Sequence, residues 1–283
     1  VENLVKLTNE FGAPESIIEA IQNDPYTKDG ADFSVTELIK PPQIRRLWNK
    51  HEDEISIDVR EEIWKLLGKG VHTVLESQGG KVGLKEQRLH ATCEGVSISG
   101  AIDFVDDGAV TDYKVTSTYA VMRGLKEDWE KQLNLYVWLL RQNDHAVKSL
   151  SIVAICRDWM RSRLHTPNYP QSPVVVLAVP LWSENRQDRY INERVRIHTQ
   201  KSTLPCTPEE RWARGAYSVT GKGRPKSFDS LNEATVYVNE QNVRSLKIVE
   251  SNAKYVRCES WCEVADFCPQ WATTKGGKRN ARS

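Results

Sequence analysis

The 283-residue chain is 39% hydrophobic and 27% charged, which suits a globular protein with a buried core and excludes a disordered one. Its 39 basic and 38 acidic side chains leave a net charge of +1, so a polyanionic partner must be met by local patches rather than by the field of the whole molecule. No apolar run approaches the roughly 20 residues that span a bilayer, and residues 1–20 lack the basic-then-apolar order of a signal peptide, which predicts a cytoplasmic protein with no membrane contact.

Ser34 with Glu37 three residues on is a capping-box pattern, and Pro41-Pro42 restarts the chain ahead of Ile44, Leu47 and Trp48. Asp58 followed by Glu61 signals a helix over 59–76, with Ile63, Leu67, Val71 and Val74 at helical spacing and Gly79-Gly80 ending it. From 82 to 115 the period shifts toward two, predicting short strands punctuated by Gly95 and Gly108. Helical spacing returns over 125–141 through Trp129, Leu133, Tyr136 and Leu140. The β-branched runs 150–155 and 174–179 predict buried strands, and 183–200 a polar, peripheral helix. Residues 215–229, where Gly221, Gly223 and Pro225 alternate with Lys222, Arg224 and Lys226, read as a mobile connection. The tail around Lys275, Lys278 and Arg279 reads as frayed. This order predicts a single α/β domain: a helical N-terminal addition at 1–58, a core at 59–200 with a central mixed sheet flanked by helices, a cysteine-containing segment at 201–270 and a flexible tail at 271–283.

The segment with most chemistry runs from Gly100 to Lys114. Asp107-Gly108 is a favoured centre for a two-residue hairpin turn, because both positions want positive φ. Folding there sets Val105 against Val110 and Asp103 directly against Asp112. Alternation then puts Ala101, Asp103, Val105, Val110, Asp112 and Lys114 on one face, and Ile102, Phe104, Thr111 and Tyr113 on the face expected to press on the core. Two carboxylates roughly 5 Å apart repel one another unless something compensates. A divalent cation held by hard oxygen ligands, Mg²⁺ or Mn²⁺, is one compensation, and Lys114 beside it equips the site for phosphodiester hydrolysis. A solvated edge hairpin is the other reading the residues allow.

Gly100-x-x-Asp103 followed by Asp112-Tyr113-Lys114 resembles the core motif of the PD-(D/E)xK nucleases, and the tyrosine before the lysine resembles the RecB-like branch, with its phage exonucleases and CRISPR-associated nucleases. In the same order, residues 68–72 are similar to that branch's G-x-x-x-H element and residues 132–136 to its Q-x-x-x-Y element. The resemblance implies a restriction-endonuclease-like core. It implies Asp103, Asp112, His72 and the Tyr113 carbonyl as metal ligands, Lys114 as the residue assisting the attacking water, and Gln132 and Tyr136 as DNA contacts or supports of the site. Glu86 is implied as a more distant carboxylate of the same site. The activity implied is a metal-dependent deoxyribonuclease, with exonuclease action at free DNA ends favoured, in phage-type recombination or DNA processing (then in the host cytoplasm). An endonuclease, or a nuclease-like module that binds nucleic acid without turnover, is the alternative.

Cys258-x3-Cys262-x5-Cys268 has metal-ligand spacing, flanked by Trp261 and Phe267. Three thiolates need a fourth partner for tetrahedral Zn²⁺ or a cubane cluster, and Cys206, just before a Thr207-Pro208-Glu209-Glu210 helix-start pattern, is the best candidate. Cys93 and Cys156 sit among strand residues as small buried hydrophobes. The resemblance to RecB-like nucleases implies a structural [4Fe–4S] cluster, although the spacing here is x3 then x5 rather than x2 then x5; Zn²⁺ and free thiols are the rivals. Arg157, Trp159, Arg161 and Arg163 combine basic groups with an aromatic ring, and Lys222 and Arg224 form a second basic patch. Both suit phosphate contact, the first with stacking on an unpaired base, and both also suit a solvated face.

Overall fold

The computed structural model describes residues 6–23, 28–77, 84–202, 204–221, 223–241, 243 and 245–274. They group into two compact units, one built mainly on Leu7–Ile39 and Ser56–Gln200, the other mainly on Lys40–Ile55 and the residues from Lys201 onward.

The first unit is α/β. Its sheet contains β1 (Phe33–Ser34), β2 (Leu84–Cys93), β3 (Val96–Asp106), β4 (Ala109–Thr116), β5 (Ser149–Cys156) and β6 (Val174–Val179). The order is β1-β3-β4-β5-β6, with β2 along the opposite edge of β3. Pairs β1/β3 and β4/β5 are parallel and the rest antiparallel, so the sheet is mixed. One edge of β3 is shared: β1 pairs at Ile98 and Ser99, and β4 takes over from Phe104 to Asp106. Over 100–103 that edge has no strand partner among the described residues, and Asp103 stands at the mouth of the gap.

Three helices matter for the site: α1 (Val59–Ser77), α2 (Glu127–Gln142) and α3 (Glu184–Thr199). The start of α1 is held by Asp58, whose carboxylate accepts from the Arg60 amide (3.1 Å), the Glu10 amide (2.9 Å) and the Thr8 hydroxyl (3.0 Å). Glu127, Asp128 and Glu130 in the first turn of α2 complement its dipole, and from Gln132 to Leu140 every residue of that helix is buried. Leu133, Tyr136, Val137 and Leu140 share the core with Leu89, Ile98, Ile102, Val105, Val110 and Ile152 of the sheet. Ser34 and Glu37 exchange both bonds of the capping box, at 2.8 and 3.1 Å. Helix α3, expected to be peripheral, buries Gln187, Ile191, Val195 and His198.

Two sequence expectations about faces are corrected. The hairpin face read as core was Ile102, Phe104, Thr111 and Tyr113, whereas the buried positions are Ile102, Val105, Val110 and Asp112. The inward phase on β3 slips by one residue between Ile102 and Val105, so strict alternation carried from the turn fails beyond it. On α1, Leu67 and Val74 of the expected apolar stripe lie exposed.

In the second unit, residues 215–229 are no loose connection. Tyr217–Thr220 lies between Lys226–Phe228 and Lys247–Glu250 in a three-stranded antiparallel sheet. Only Val219 of the central strand is buried, so the segment reads as polar linker, yet the Lys226 ammonium sits 4.1 Å from the Tyr237 ring. Thr207 and Glu210 do exchange capping-box bonds (3.0 and 3.2 Å), but the chain makes a turn there, not a helix. Lys222 and the tail from Lys275 lie outside the described residues, and among the described residues no helix is long and apolar enough to cross a membrane.

Candidate active site

The β3–β4 turn has Asp107 at φ 45° and Gly108 at φ 77°, the two positive values a two-residue hairpin asks for. Val105 pairs with Val110 and Asp106 with Ala109. The same register sets Asp103 against Asp112, but the ladder ends one pair earlier, at Phe104 and Thr111. Beyond it the Tyr113 amide donates to Asp103 Oδ2 at 2.7 Å. A side-chain carboxylate thus satisfies an amide that a strand carbonyl would otherwise take, and the two strands part around it.

Asp112 is buried, with 2% of its side chain exposed. Its Oδ1 accepts from Gln132 Nε2 (3.2 Å), which also donates to Tyr136 Oη (2.8 Å). Lys114 Nζ lies 2.7 Å from Asp112 Oδ2 but out of hydrogen-bond alignment, so that buried oxygen has no hydrogen-bond partner. His72 on α1 brings Nδ1 to 3.5 Å from Asp103 Oδ2 and sets its ring edge-on to Tyr113. Burial, then the negative charge of Asp112, push the Asp103 carboxyl up to about 7; His72, Lys114 and the Tyr113 amide pull the other way. Lys114 beside Asp112 offsets part of the repulsion expected between the two aspartates, and that repulsion is one cause of the upward shift at Asp103.

Gln132 and Tyr136 are both buried beneath the hairpin, where Gln132 orients Asp112. Gly100 has a packing reason: a Cβ there would stand 2.8 Å from both Leu139 Cδ1 and Tyr136 Cε1. Gly100→Ala should therefore displace Tyr136, lowering stability by about 1–3 kcal/mol, with a matching loss of site geometry. Urea melts of the variant check the first effect, and an unchanged midpoint would refute it. Gly68, by contrast, faces open space, so no close approach at that position calls for a glycine. The Glu86 side chain lies outside the described residues.

Among the described residues, no three His, Cys, Asp or Glu side chains converge at the spacing that holds one metal ion. The donor types at the hairpin nonetheless suit a hard divalent cation: Asp112 Oδ2 is buried without a hydrogen bond, and His72 Nδ1 lies 3.5 Å from Asp103 Oδ2 on the paired strand.

In the second unit, Cys206, Cys258, Cys262 and Cys268 line one cavity, together with Gln43, Arg211 and Trp271, and all four are free thiols. Gln43 Nε2 donates to Cys268 Sγ (3.0 Å) and Arg211 Nε to Cys258 Sγ (3.4 Å). Burial pushes the Cys206 thiol up to about 12 and Cys262 to about 11. Gln43 gave no signal in the sequence, being far from the cysteines along the chain, and Arg211, five residues after Cys206, belongs to no ligand spacing. Cys93 and Cys156 are buried elsewhere, in the first unit.

Of the basic patches, Arg157, Arg161 and Arg163 are exposed, with Arg163 5.5 Å from the Tyr169 ring. Trp159 is half-buried against the core, and its indole N–H donates to the Pro170 carbonyl (2.8 Å), so it is not an open stacking face. The ring beside Arg157 is Trp64 of α1, at 4.4 Å, a residue the sequence reading passed over although it lies four and eight positions before Gly68 and His72. Arg224 is exposed on the second unit.

Residues 31–269 match the family model described as the PD-(D/E)XK nuclease superfamily. No curated protein matches the chain. Among solved structures, one titled "Crystal structure of SSO0001" is similar at 18% identity and a TM-score of 0.45, over 69% of this chain and 88% of that one.

Proposed function

Because the chain belongs to the PD-(D/E)XK nuclease superfamily across residues 31–269, we propose that it is a metal-dependent deoxyribonuclease of the RecB-like type, acting as an exonuclease at free DNA ends in phage-type recombination or DNA processing. The observation that carries this reading is Lys114 Nζ at 2.7 Å from the buried Asp112, beside an Asp103 that shares the same parting of the strands. Asp103, Asp112, the Tyr113 carbonyl and His72 are the residues to hold Mg²⁺ or Mn²⁺, which when bound polarises the phosphate and makes water a better nucleophile.

Lys114 serves two ends. Its ammonium donates to the attacking water or to a phosphoryl oxygen, and it offsets the negative charge that grows as the P–O bond is attacked. Gln132 holds the Asp112 carboxylate in one orientation, and Tyr136 fixes Gln132 in turn. Products of this reading are a 5′-phosphate and a 3′-hydroxyl. The exposed Arg157, Arg161, Arg163 and Arg224 supply phosphate contacts.

For the cysteines we propose a structural [4Fe–4S] cluster. Four sulfurs line one cavity, and N–H donors already point at two of them.

Incubation of linear and covalently closed circular DNA with Mn²⁺ tests the activity. Degradation of the linear form alone is expected. Cutting of circles would make the protein an endonuclease of the same superfamily, and binding with no cleavage of either would reduce it to a nucleic-acid-binding module.

A further inference from the structure

Trp64 and Arg157 come together from distant parts of the first unit. The Arg157 guanidinium lies 4.4 Å from the indole centroid, and Trp64 is still 53% exposed. An exposed indole face is a platform on which a planar group can stack. Arg157 has no carboxylate partner among the described residues, and the β4–β5 pairing ends at Thr116 and Cys156, placing Arg157 just past the end of the strand that pairs with the one carrying Lys114. A cation without an acidic partner beside a half-exposed ring suits an anion with a flat apolar part.

A nucleotide has both. On α1, Trp64 lies two turns before His72, about 12 Å along the axis at 1.5 Å per residue, within the reach of a few nucleotides from Asp103. We propose that Trp64 and Arg157 form a seat for an unpaired base and its phosphate next to the active site, so that the substrate is a DNA end with unpaired nucleotides. This rests on the nuclease reading and narrows its substrate. A base inside a duplex has both faces covered by its neighbours, whereas an unpaired one can lay a face on the indole, whatever its identity.

The test is equilibrium binding, in Ca²⁺ to hold cleavage back, of a blunt duplex and of duplexes with 3′ or 5′ single-stranded tails. Wild type is expected to bind one tailed duplex more tightly than the blunt one. Trp64→Ala should weaken that tailed complex roughly tenfold or more, leaving the blunt duplex within about twofold, and Trp64→Phe should restore most of the loss. Arg157→Ala should weaken the same tailed complex. Because Trp64 is exposed, the melting temperature of Trp64→Ala should stay close to wild type. Equal losses on blunt and tailed DNA, or no loss on either, would overturn the seat while leaving the nuclease reading intact. Failure of the wild type to bind any of the three duplexes would overturn both.

Discussion

Lys114→Ala is expected to reduce cleavage of linear DNA by on the order of 10³-fold while DNA binding changes by no more than a few-fold. The ammonium lies 2.7 Å from a carboxylate whose side chain is 2% exposed, so it is both the group poised for the reaction and the counter-charge of Asp112. Its removal leaves a buried carboxylate uncompensated, a loss of about 3–5 kcal/mol in sites of this kind. The variant should therefore melt lower than wild type without added metal and recover part of the difference in Mg²⁺, which supplies the missing positive charge. Single-turnover cleavage on a labelled duplex and paired melting curves with and without Mg²⁺ measure the two effects. Cleavage retained within tenfold of wild type would remove Lys114 from the chemistry. A melting temperature equal to wild type in chelator would show that Asp112 does not depend on it.

The second large effect concerns the cysteine cavity. Cys258→Ser or Cys262→Ser is expected to abolish iron binding in anaerobically purified protein and to lower the melting temperature by roughly 10 °C or more, the shift that about 4 kcal/mol produces in a domain of this size. Cys258 already accepts from Arg211, and Cys268 from Gln43, so the cavity has donors fixed toward its sulfurs before any cluster is present. Cys93→Ala is the control: its thiol bonds Asn192 in the first unit, and the variant should keep its full iron content. Elemental analysis and the visible absorbance of the cluster read the outcome. Stoichiometric zinc without iron would replace the cluster by a tetrahedral site, and unchanged metal content in both serine variants would leave the cysteines as plain thiols.

Local chemistry made much of the first unit legible in the chain. Asp107-Gly108 demanded a tight turn and therefore a hairpin register, because few residue pairs tolerate two positive φ values in succession. The β-branched runs at 150–155 and 174–179 lie in strands, although the second, expected to be buried, is an edge strand in which only Val179 is buried, and Asp58 starts a helix. Residues that interact through their immediate neighbours announce themselves in this way.

Positions whose role depends on distant parts of the chain did not. The inward face of the hairpin was misjudged because half-buried residues occur on both faces and the phase slips next to Asp103, which blurs the period-two signal. The 132–136 element read as a motif, but only packing of α2 on Gly100 decided that Gln132 lies buried against Asp112. The pairing of Trp64 with Arg157, and of Cys268 with Gln43, joins residues far apart in sequence, and no pattern of neighbours encodes such a meeting. By itself, then, the sequence determined the elements, the turn and the identity of the acidic and basic groups, since these follow from local backbone preference and residue type. Tertiary structure alone decided which of those groups stand buried, which share a charge and which face water, because burial and charge coupling depend on distances that only the folded chain possesses.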